Sequence, residues 1–204
     1  HTTTGLEENG RNLYNRMTPA QKAAWDKHYD PIIKKFKEQK LTGKALAEWK
    51  YQQYMHDYMR VIHSVDRNVG RVLDYMEKSG LLENTIIVYT SDQGFYMGEH
   101  GWFDKRFMYE ESFRTPLIIR YPAKIKAGSE CTALVQNIDY APTYLDIAGI
   151  EKPDYMVGTS LVPLFGGETP KDWREYLYYH YYDYPAIHMV RPVSYTHLTL
   201  PTTS

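Results

Sequence analysis

Side chains that could do chemistry crowd one short stretch of the sequence, residues 92–114. They are Asp92, Gln93, Glu99, His100, Asp104, Lys105, Glu110 and Arg114. Carboxylate and amide oxygens suit a hard cation such as Ca²⁺ or Mg²⁺, and a lysine acts as a point charge on an anion. Histidine titrates near neutral pH and can therefore pass on a proton. This stretch is the candidate functional site.

The elements around this stretch predict how it is positioned. Uninterrupted apolar, β-branched runs at residues 85–90 and 117–121 predict two strands buried on both faces. A helix predicted over residues 44–79 carries apolar residues at three- and four-residue spacing from Tyr58 to Met76, which predicts a core-facing stripe. The unit is thus helix, turn and parallel strand, typical of an α/β fold whose ligands bind beyond the carboxyl ends of the strands.

Capping residues predict the shorter helices. Thr18 and Pro19 are an N-cap and a first-turn proline, and predict a short helix that Pro31 interrupts. Asp139 is predicted to cap a further helix that stops at Gly149. A capping or surface role for Asp139 needs no catalytic explanation.

Composition excludes some classes of function. The formal net charge is -1 and the sequence pI is ≈ 6.8, which gives no nucleic-acid footprint. No run of eighteen apolar residues occurs, so no membrane-spanning helix is predicted. The 20 tyrosines and 4 tryptophans suit sugar stacking but equally suit ordinary packing. Cys131, the single cysteine, forms no internal disulfide.

The two ends of the sequence look atypical. The chain begins at His1 without a starting methionine or a signal-like segment, so we expect a fragment whose beginning is missing. Residues 193–202 look like the in-frame translation of a sequencing adapter, and residues 192–204 are therefore set apart as a tail. His197 lies in that tail and is not interpreted as a ligand.

Several motifs in a fixed order carry a resemblance to one family. They are Asp-Arg-Asn-Val-Gly-Arg at 66–71, Tyr-Thr-Ser-Asp-Gln-Gly at 89–94, Gly-Glu-His-Gly at 98–101, Arg-Thr-Pro-Leu-Ile-Ile-Arg-Tyr-Pro at 114–122, Asp-Tyr-Ala-Pro-Thr-Tyr-Leu-Asp at 139–146 and Gly-Thr-Ser-Leu at 158–161. Together they resemble the type I sulfatases of the alkaline-phosphatase superfamily, especially bacterial glycan sulfatases and the N-acetylglucosamine-6-sulfatase branch. The resemblance covers about residues 51–191.

The resemblance implies a fold and a domain organisation. The fold would be α/β, part of an alkaline-phosphatase-like, mostly parallel sheet flanked by helices, and incomplete. Residues 1–191 would be the C-terminal portion of a sulfatase catalytic domain, leading into the start of its C-terminal subdomain. The family usually acts in the periplasm or outside the cell, which is the localisation expected.

The resemblance also implies roles for individual residues. Asp92 and Gln93 match the family's second pair of metal ligands, for one hard cation, Ca²⁺. Lys105 matches the lysine that contacts the sulfate oxygens, and His100 could donate a proton to the leaving oxygen. His188 is a candidate contact to the sugar of a sulfated carbohydrate substrate. Three of these roles have a plainer alternative. Asp92 and Gln93 could be an ordinary turn pair, Lys105 could form an exposed ion pair with Asp104, and His100 could only shape its loop.

The sequence departs from the family pattern at the nucleophile. Sulfatases of this type use a formylglycine made from cysteine in a Cys-x-Pro/Ala-x-Arg motif, preceded by paired aspartates that complete the metal site. Cys131 is followed by Thr-Ala-Leu-Val, so the arginine is absent, and no Asp-Asp pair occurs in the sequence. We therefore predict that Cys131 is a structural thiol and that this chain alone is inactive.

Two alternative functions stay open. A phosphoesterase or phosphonate hydrolase of the same superfamily would share the strand-end aspartate but often holds two transition metals with histidine ligands, against which Gln93 argues. A non-catalytic glycan-binding module would use the tyrosines and tryptophans instead. That module would need an independently folding domain and would bind glycan without a metal.

Overall fold

The structure, a computed structural model, describes residues 13–105, 107, 109–181, 187–192 and 198–199, with side chains as far as residue 179. The chain divides into two units, residues 1–65 and 66–204. Within the described residues no helix is long and apolar enough to cross a membrane.

Helix α1, Pro19–Gln39, opens the described part of the first unit. The Thr18 hydroxyl accepts from the Gln21 backbone N–H at 3.3 Å, and the Gln21 side chain accepts from the Thr18 N–H at 2.9 Å, forming a capping box. The predicted interruption at Pro31 is wrong, because α1 continues through it. Pro31 removes one hydrogen bond, but the freed carbonyl is on exposed Lys27, where water can satisfy it.

Helix α2, Gly43–Lys78, begins in the first unit and confirms the predicted long helix. Within residues 13–65, Phe36 of α1 stacks on Trp49 of α2 with ring centroids 4.3 Å apart. The Asp57 carboxylate of α2 accepts from the Tyr29 hydroxyl at 3.4 Å and from Arg60 at 2.8 Å. Neither helix has a fully buried residue, so these contacts join two largely solvated helices.

The stripe predicted to face a core along α2 is not buried in the described chain. Val61, Ile62, Val65 and Val72 are all exposed. The apolar period correctly predicts the helix, but it does not determine what packs against the stripe. Gly80, at φ +67°, ends the helix as predicted, in the left-handed conformation that glycine adopts without strain.

The second unit is built on a two-stranded sheet. Strand β1, Ile87–Thr90, pairs antiparallel with a strand at Leu117–Arg120, which is β4 in chain order. The predicted mostly parallel sheet is therefore wrong for the described strands, all of which pair antiparallel. A parallel connection needs a crossover of a dozen or more residues, usually a helix, and the helix between these strands has four residues. Burial on both faces is also wrong for β1, where Tyr89 is exposed.

The remaining elements are short. They are β2 Tyr96–Met97, β3 Phe103–Asp104, α3 Glu110–Phe113, β5 Glu130–Cys131, α4 Tyr140–Ile147, β6 Tyr176–Tyr181, β7 Ile187–Pro192 and β8 Leu198–Thr199. The pairs are β2 with β3, β5 with β8 and β6 with β7. Strand β8 lies in the tail set apart on sequence grounds, so that tail is not wholly without structure.

The core of the second unit lies behind β4. Leu117 and Ile119 of β4 pack with Leu161, Leu164 and Phe165. Cys131 of β5 joins the same cluster with 5% of its surface exposed, as expected of a structural thiol. This core supports the strand ends from which the candidate site is built.

Candidate functional site

The turn that carries the predicted metal ligands directly follows β1. The Ser91 hydroxyl donates to the Gln93 carbonyl oxygen at 2.9 Å, which tightens the turn. The Asn137 side-chain amide donates to the Asp92 carbonyl oxygen at 2.8 Å and fixes the turn from another segment. The Asp92 side chain is exposed and that of Gln93 is half-buried.

Gly94 anchors this turn against α3. Its N–H donates to the Ser112 carbonyl oxygen at 2.8 Å, and the next N–H, of Phe95, donates to the Glu111 carbonyl oxygen at 2.6 Å. A Cβ atom added to Gly94 would lie 2.2 Å from that Glu111 oxygen. Only glycine allows the two backbones to approach so closely.

Tyr96 organises the loop between β2 and α3. Only 1% of its surface is exposed, and its hydroxyl donates to the Phe107 carbonyl oxygen at 2.6 Å while accepting from the Tyr109 N–H at 3.3 Å. Burial raises the pKa of the Tyr96 phenol, so the hydroxyl stays protonated and keeps donating. Tyr96 also pairs with Asp104 across β2 and β3.

Lys105 lies where this loop leaves β3. Its backbone carbonyl oxygen accepts from the Ser112 hydroxyl at 2.5 Å, while its side chain is exposed. The preceding residue, Asp104, has φ +90°, an uncommon conformation for a residue with a side chain. Lys105 is therefore held through its backbone and leaves its ammonium group accessible.

A cavity of about 430 Å³ brings the predicted residues together. Asp92, Gln93 and Lys105 all line it. The rest of its wall includes Ser112, Phe113, Arg114, Gln136, Asn137, Tyr140 and Tyr179. Polar groups of both charges and aromatic rings thus converge on a space large enough for a sugar-sized molecule.

Tyr140 adds a neutral polar group to this cavity. Its hydroxyl and that of Thr90 are 2.9 Å apart and share a hydrogen bond. Burial raises the pKa of the Tyr140 phenol, and the bond to Thr90 opposes this only in part. The phenol therefore stays uncharged at neutral pH beside Asp92 and Lys105.

A second cavity, of about 590 Å³, lies between residues 132–134 and 169–176. It is larger but more open, and it holds none of the predicted site residues. Its one half-buried charge, Arg174, is already engaged by Asp139, with Nη1 and Nη2 each 2.7 Å from a carboxylate oxygen. The chemistry therefore points to the smaller cavity.

The other two predicted site residues lie elsewhere or outside the described side chains. His100 Nε2 is 3.4 Å from a Glu111 carboxylate oxygen, its ring stacks on Tyr109 at 4.5 Å, and it is not among the lining residues of the cavity. Its catalytic role stays a prediction. His188 lies in β7, paired with His180, and its side chain is not described.

Sequence reasoning missed several residues of the site. The helical spacing of Glu110 and Arg114 favours a structural pair, whereas the structure places Arg114 on the cavity wall. Asn137 had no sequence feature to mark it. Asp139 is the N-cap residue of α4, as predicted, but it makes no side-chain cap bond there, and the surface alternative is wrong. It is fully buried, and its carboxylate accepts from Gln136, Thr159 and Arg174.

Asp92 and Gln93 provide one carboxylate and one side-chain amide oxygen at the cavity. Ca²⁺ takes six to eight oxygen ligands, so the pair has the right donor chemistry for part of such a shell. Among the side chains that the structure describes, no three from His, Cys, Asp and Glu come close enough together to hold one ion. These residues fit the role of a partial cation site.

Comparison with known proteins places the chain in a family. The family model described as N-sulphoglucosamine sulphohydrolase, C-terminal, matches residues 98–199, and one described as a protein of unknown function, DUF229, matches residues 12–140. The chain belongs to the sulfatase family of the alkaline-phosphatase superfamily.

Individual relatives of the chain indicate its place within the family more closely. The chain is 57% identical over 181 residues to an N-acetylglucosamine-6-O-sulfatase of Bacteroides thetaiotaomicron, covering 88% of this chain and 32% of that protein. It is 33% identical over 159 residues to the multifunctional alkaline phosphatase superfamily protein PehA of Trinickia caryophylli, covering 76% and 31%. The chain thus spans about a third of these curated relatives, in their C-terminal portion.

A solved structure supports the fold. The structure of BT4656 in complex with its substrate, D-glucosamine-2-N,6-O-disulfate, matches with a TM-score of 0.81 and 51% sequence identity. The match covers 95% of this chain and 42% of that one. The chain therefore has part of an alkaline-phosphatase-like fold, although its described strands are short and antiparallel.

Proposed function

We propose that this chain is part of a sulfatase that hydrolyses sulfate esters on sulfated glycans. The proposed substrate unit is 6-O-sulfated glucosamine. The observation that carries the proposal is the convergence of Asp92, Gln93 and Lys105 on one cavity. The 57% sequence identity to an N-acetylglucosamine-6-O-sulfatase supports the substrate class. By the same resemblance, we propose a periplasmic or secreted protein.

The residues of the cavity divide the work of sulfate binding. Lys105 would place its ammonium group against sulfate oxygens and offset their negative charge, which is the largest requirement of a charged transition state. Asp92 and Gln93 would supply two oxygen ligands to Ca²⁺, and the cation when bound would withdraw charge from the sulfate. Tyr140, kept protonated by its raised pKa, can donate a hydrogen bond to a sugar or sulfate oxygen.

The nucleophile is not supplied by this sequence. Cys131 lacks the motif that formylglycine formation requires and is buried in the core. We therefore expect this chain to bind the sulfated sugar weakly and to leave its ester bond intact.

The test is a binding experiment on the whole 204-residue chain. Inorganic sulfate and glucosamine-6-sulfate are titrated with and without Ca²⁺ while the backbone amide resonances are followed by NMR. We expect Lys105 to respond to sulfate and Asp92 and Gln93 to respond to Ca²⁺. Lys105→Met should weaken sulfate binding about tenfold or more, because a charged hydrogen bond contributes roughly 1.5–3 kcal/mol.

The control is Lys124→Met, which removes an exposed lysine from the loop after β4. It should leave sulfate binding unchanged. Sugar binding that persists in Lys105→Met and ignores Ca²⁺ would favour the glycan-binding module instead. A clear preference for phosphate or phenylphosphonate over sulfate would favour the phosphoesterase alternative, and release of sulfate by this chain alone would contradict its predicted inactivity.

A further inference from the structure

Ser112 makes contacts with both functional parts of the cavity, although nothing in its sequence context marks it. It is 8% exposed, lies in α3 and lines the cavity. We propose that Ser112 is a positioning residue that fixes Lys105 relative to the turn carrying Asp92 and Gln93. This inference rests on the proposed function, because it assigns Lys105 to the anion and the turn to the cation.

The contact to the cation side uses the backbone of Ser112. Its carbonyl oxygen accepts from the Gly94 N–H at 2.8 Å, immediately after Gln93. The missing Cβ of Gly94 lets these backbones meet, since a Cβ there would come 2.8 Å from the Ser112 carbonyl carbon. This bond does not depend on the Ser112 side chain.

The contact to the anion side uses the hydroxyl group. Ser112 Oγ donates to the Lys105 carbonyl oxygen at 2.5 Å. Lys105 follows the positive-φ residue Asp104 and lies outside any helix or strand. Because the lysine side chain is long and flexible, the position of its backbone decides where the ammonium group can reach.

The two contacts make a separable prediction. Ser112→Ala removes the hydroxyl, which bonds to the Lys105 carbonyl oxygen and also interacts with the Tyr96 phenol, but it keeps the carbonyl that holds Gly94. The loop that carries Lys105 should therefore be released while the turn stays held. A residue that merely stabilised the fold would weaken both ends of the site together. A positioning residue for Lys105 should weaken anion binding and spare cation binding.

The experiment measures both ligands separately on the full chain by NMR. In Ser112→Ala, we expect the sulfate dissociation constant to rise about three- to tenfold, the range that corresponds to one net hydrogen bond. The Ca²⁺ dissociation constant at Asp92 and Gln93 should stay within about twofold, because the backbone bond remains. Ser112→Thr keeps a hydroxyl and should restore sulfate binding.

A direct spectroscopic readout does not depend on any ligand. Hydrogen bonding deshields a carbonyl carbon, so the ¹³C carbonyl resonance of Lys105 should move upfield in Ser112→Ala and return in Ser112→Thr. Ser129→Ala is the matched control, since Ser129 Oγ donates to the Lys126 carbonyl oxygen at 2.7 Å on an exposed loop. It should leave the Lys105 resonance and both affinities unchanged.

The outcomes distinguish the two proposals. If the wild-type chain shows no response of Lys105 to sulfate, the proposed function fails. The ¹³C carbonyl resonance of Lys105 in the Ser112 variants then still tests whether Ser112 positions Lys105. An unmoved Lys105 resonance in Ser112→Ala overturns the inference, as does an equal loss of sulfate and Ca²⁺ affinity. Loss of sulfate affinity with Ca²⁺ affinity retained, and recovery with threonine, supports it.

Discussion

The two walls of the cavity are held in place by different means. The Asp92 wall, residues 92–112, carries the candidate cation and anion ligands and is held by backbone hydrogen bonds and by the hydroxyls of Ser91, Tyr96 and Ser112. The Gln136 wall, residues 133–140, is held by Asp139, which is fully buried and bound by both terminal nitrogens of Arg174. One wall depends on close backbone contact, and the other depends on a buried ion pair.

This difference separates stability from binding. A buried charge left without its partner is costly, so the Gln136 wall should tolerate little change. The bonds of the Asp92 wall are individually modest, and its charged groups remain accessible to a ligand. Mutations in the Gln136 wall should therefore mainly lower the free energy of unfolding, whereas mutations in the Asp92 wall should mainly lower ligand affinity.

The largest effect is expected from Arg174→Met. It leaves the Asp139 carboxylate buried with only the N–H groups of Gln136 and Thr159. Removing one partner of a buried pair costs roughly 3–5 kcal/mol. Urea unfolding followed through the resonances of residues 117–119 should show a loss of that size.

Two variants sharpen this prediction. Arg120→Met breaks an ion pair with Glu83, whose side chain is 79% exposed, and a hydrogen bond to the Leu82 carbonyl oxygen, so it should cost no more than about 2 kcal/mol. The double variant Asp139→Asn, Arg174→Met should be less destabilised than Arg174→Met alone, because no unpaired charge remains. Equal losses in Arg174→Met and Arg120→Met would show that the two walls do not differ in this way.

An intermediate effect is expected from Gly94→Ala on the Asp92 wall. The new Cβ would lie 2.2 Å from the Glu111 carbonyl oxygen, so the turn must separate from α3. Such overpacking costs roughly 1–3 kcal/mol. It should also weaken both Ca²⁺ and sulfate binding, because the new Cβ displaces α3 as well as the turn, and Ser112 of α3 holds Lys105. Gly166→Ala, where a Cβ meets nothing within 4 Å, is the control. Normal binding by a folded Gly94→Ala variant would argue against close backbone contact as the anchor.

Local features of the fold could be predicted from sequence, and partners distant in sequence could not. The period of α2, the Thr18 cap and the stop at Gly80 follow from residues within one or two turns, and the structure has all three. The pairing of β1 with β4 depends on the 26-residue segment that connects them, which has no hydrophobic periodicity. The predicted parallel sheet was wrong at this pair.

The candidate site shows the same limit. Asp92, Gln93 and Lys105 were predicted because ordered motifs surround them, and the structure brings them to one cavity. Asp139 and Arg174 are 35 residues apart, and nothing in either neighbourhood marks one as the partner of the other. Tyr96 was equally hidden, because a buried tyrosine that organises a loop looks in sequence like any other of the 20 tyrosines.

The smallest effect on stability is expected from Asn137→Ala, at a side-chain hydrogen bond between the two walls. The Asn137 amide is exposed and donates to the Asp92 carbonyl oxygen at 2.8 Å, so its loss should cost about 0.5 kcal/mol. The released turn should nevertheless bind Ca²⁺ about two- to threefold more weakly, because Asp92 and Gln93 lose an orienting contact. Sulfate affinity at Lys105 should be unchanged, since the Ser112 hydroxyl still holds that residue.

NMR titrations of Asn137→Ala beside Asn84→Ala, a change on the turn before β1, provide the measurement. A parallel loss of both affinities would mean that the turn and Lys105 move as one body, and the separation between them inferred from Ser112 would then fail as well.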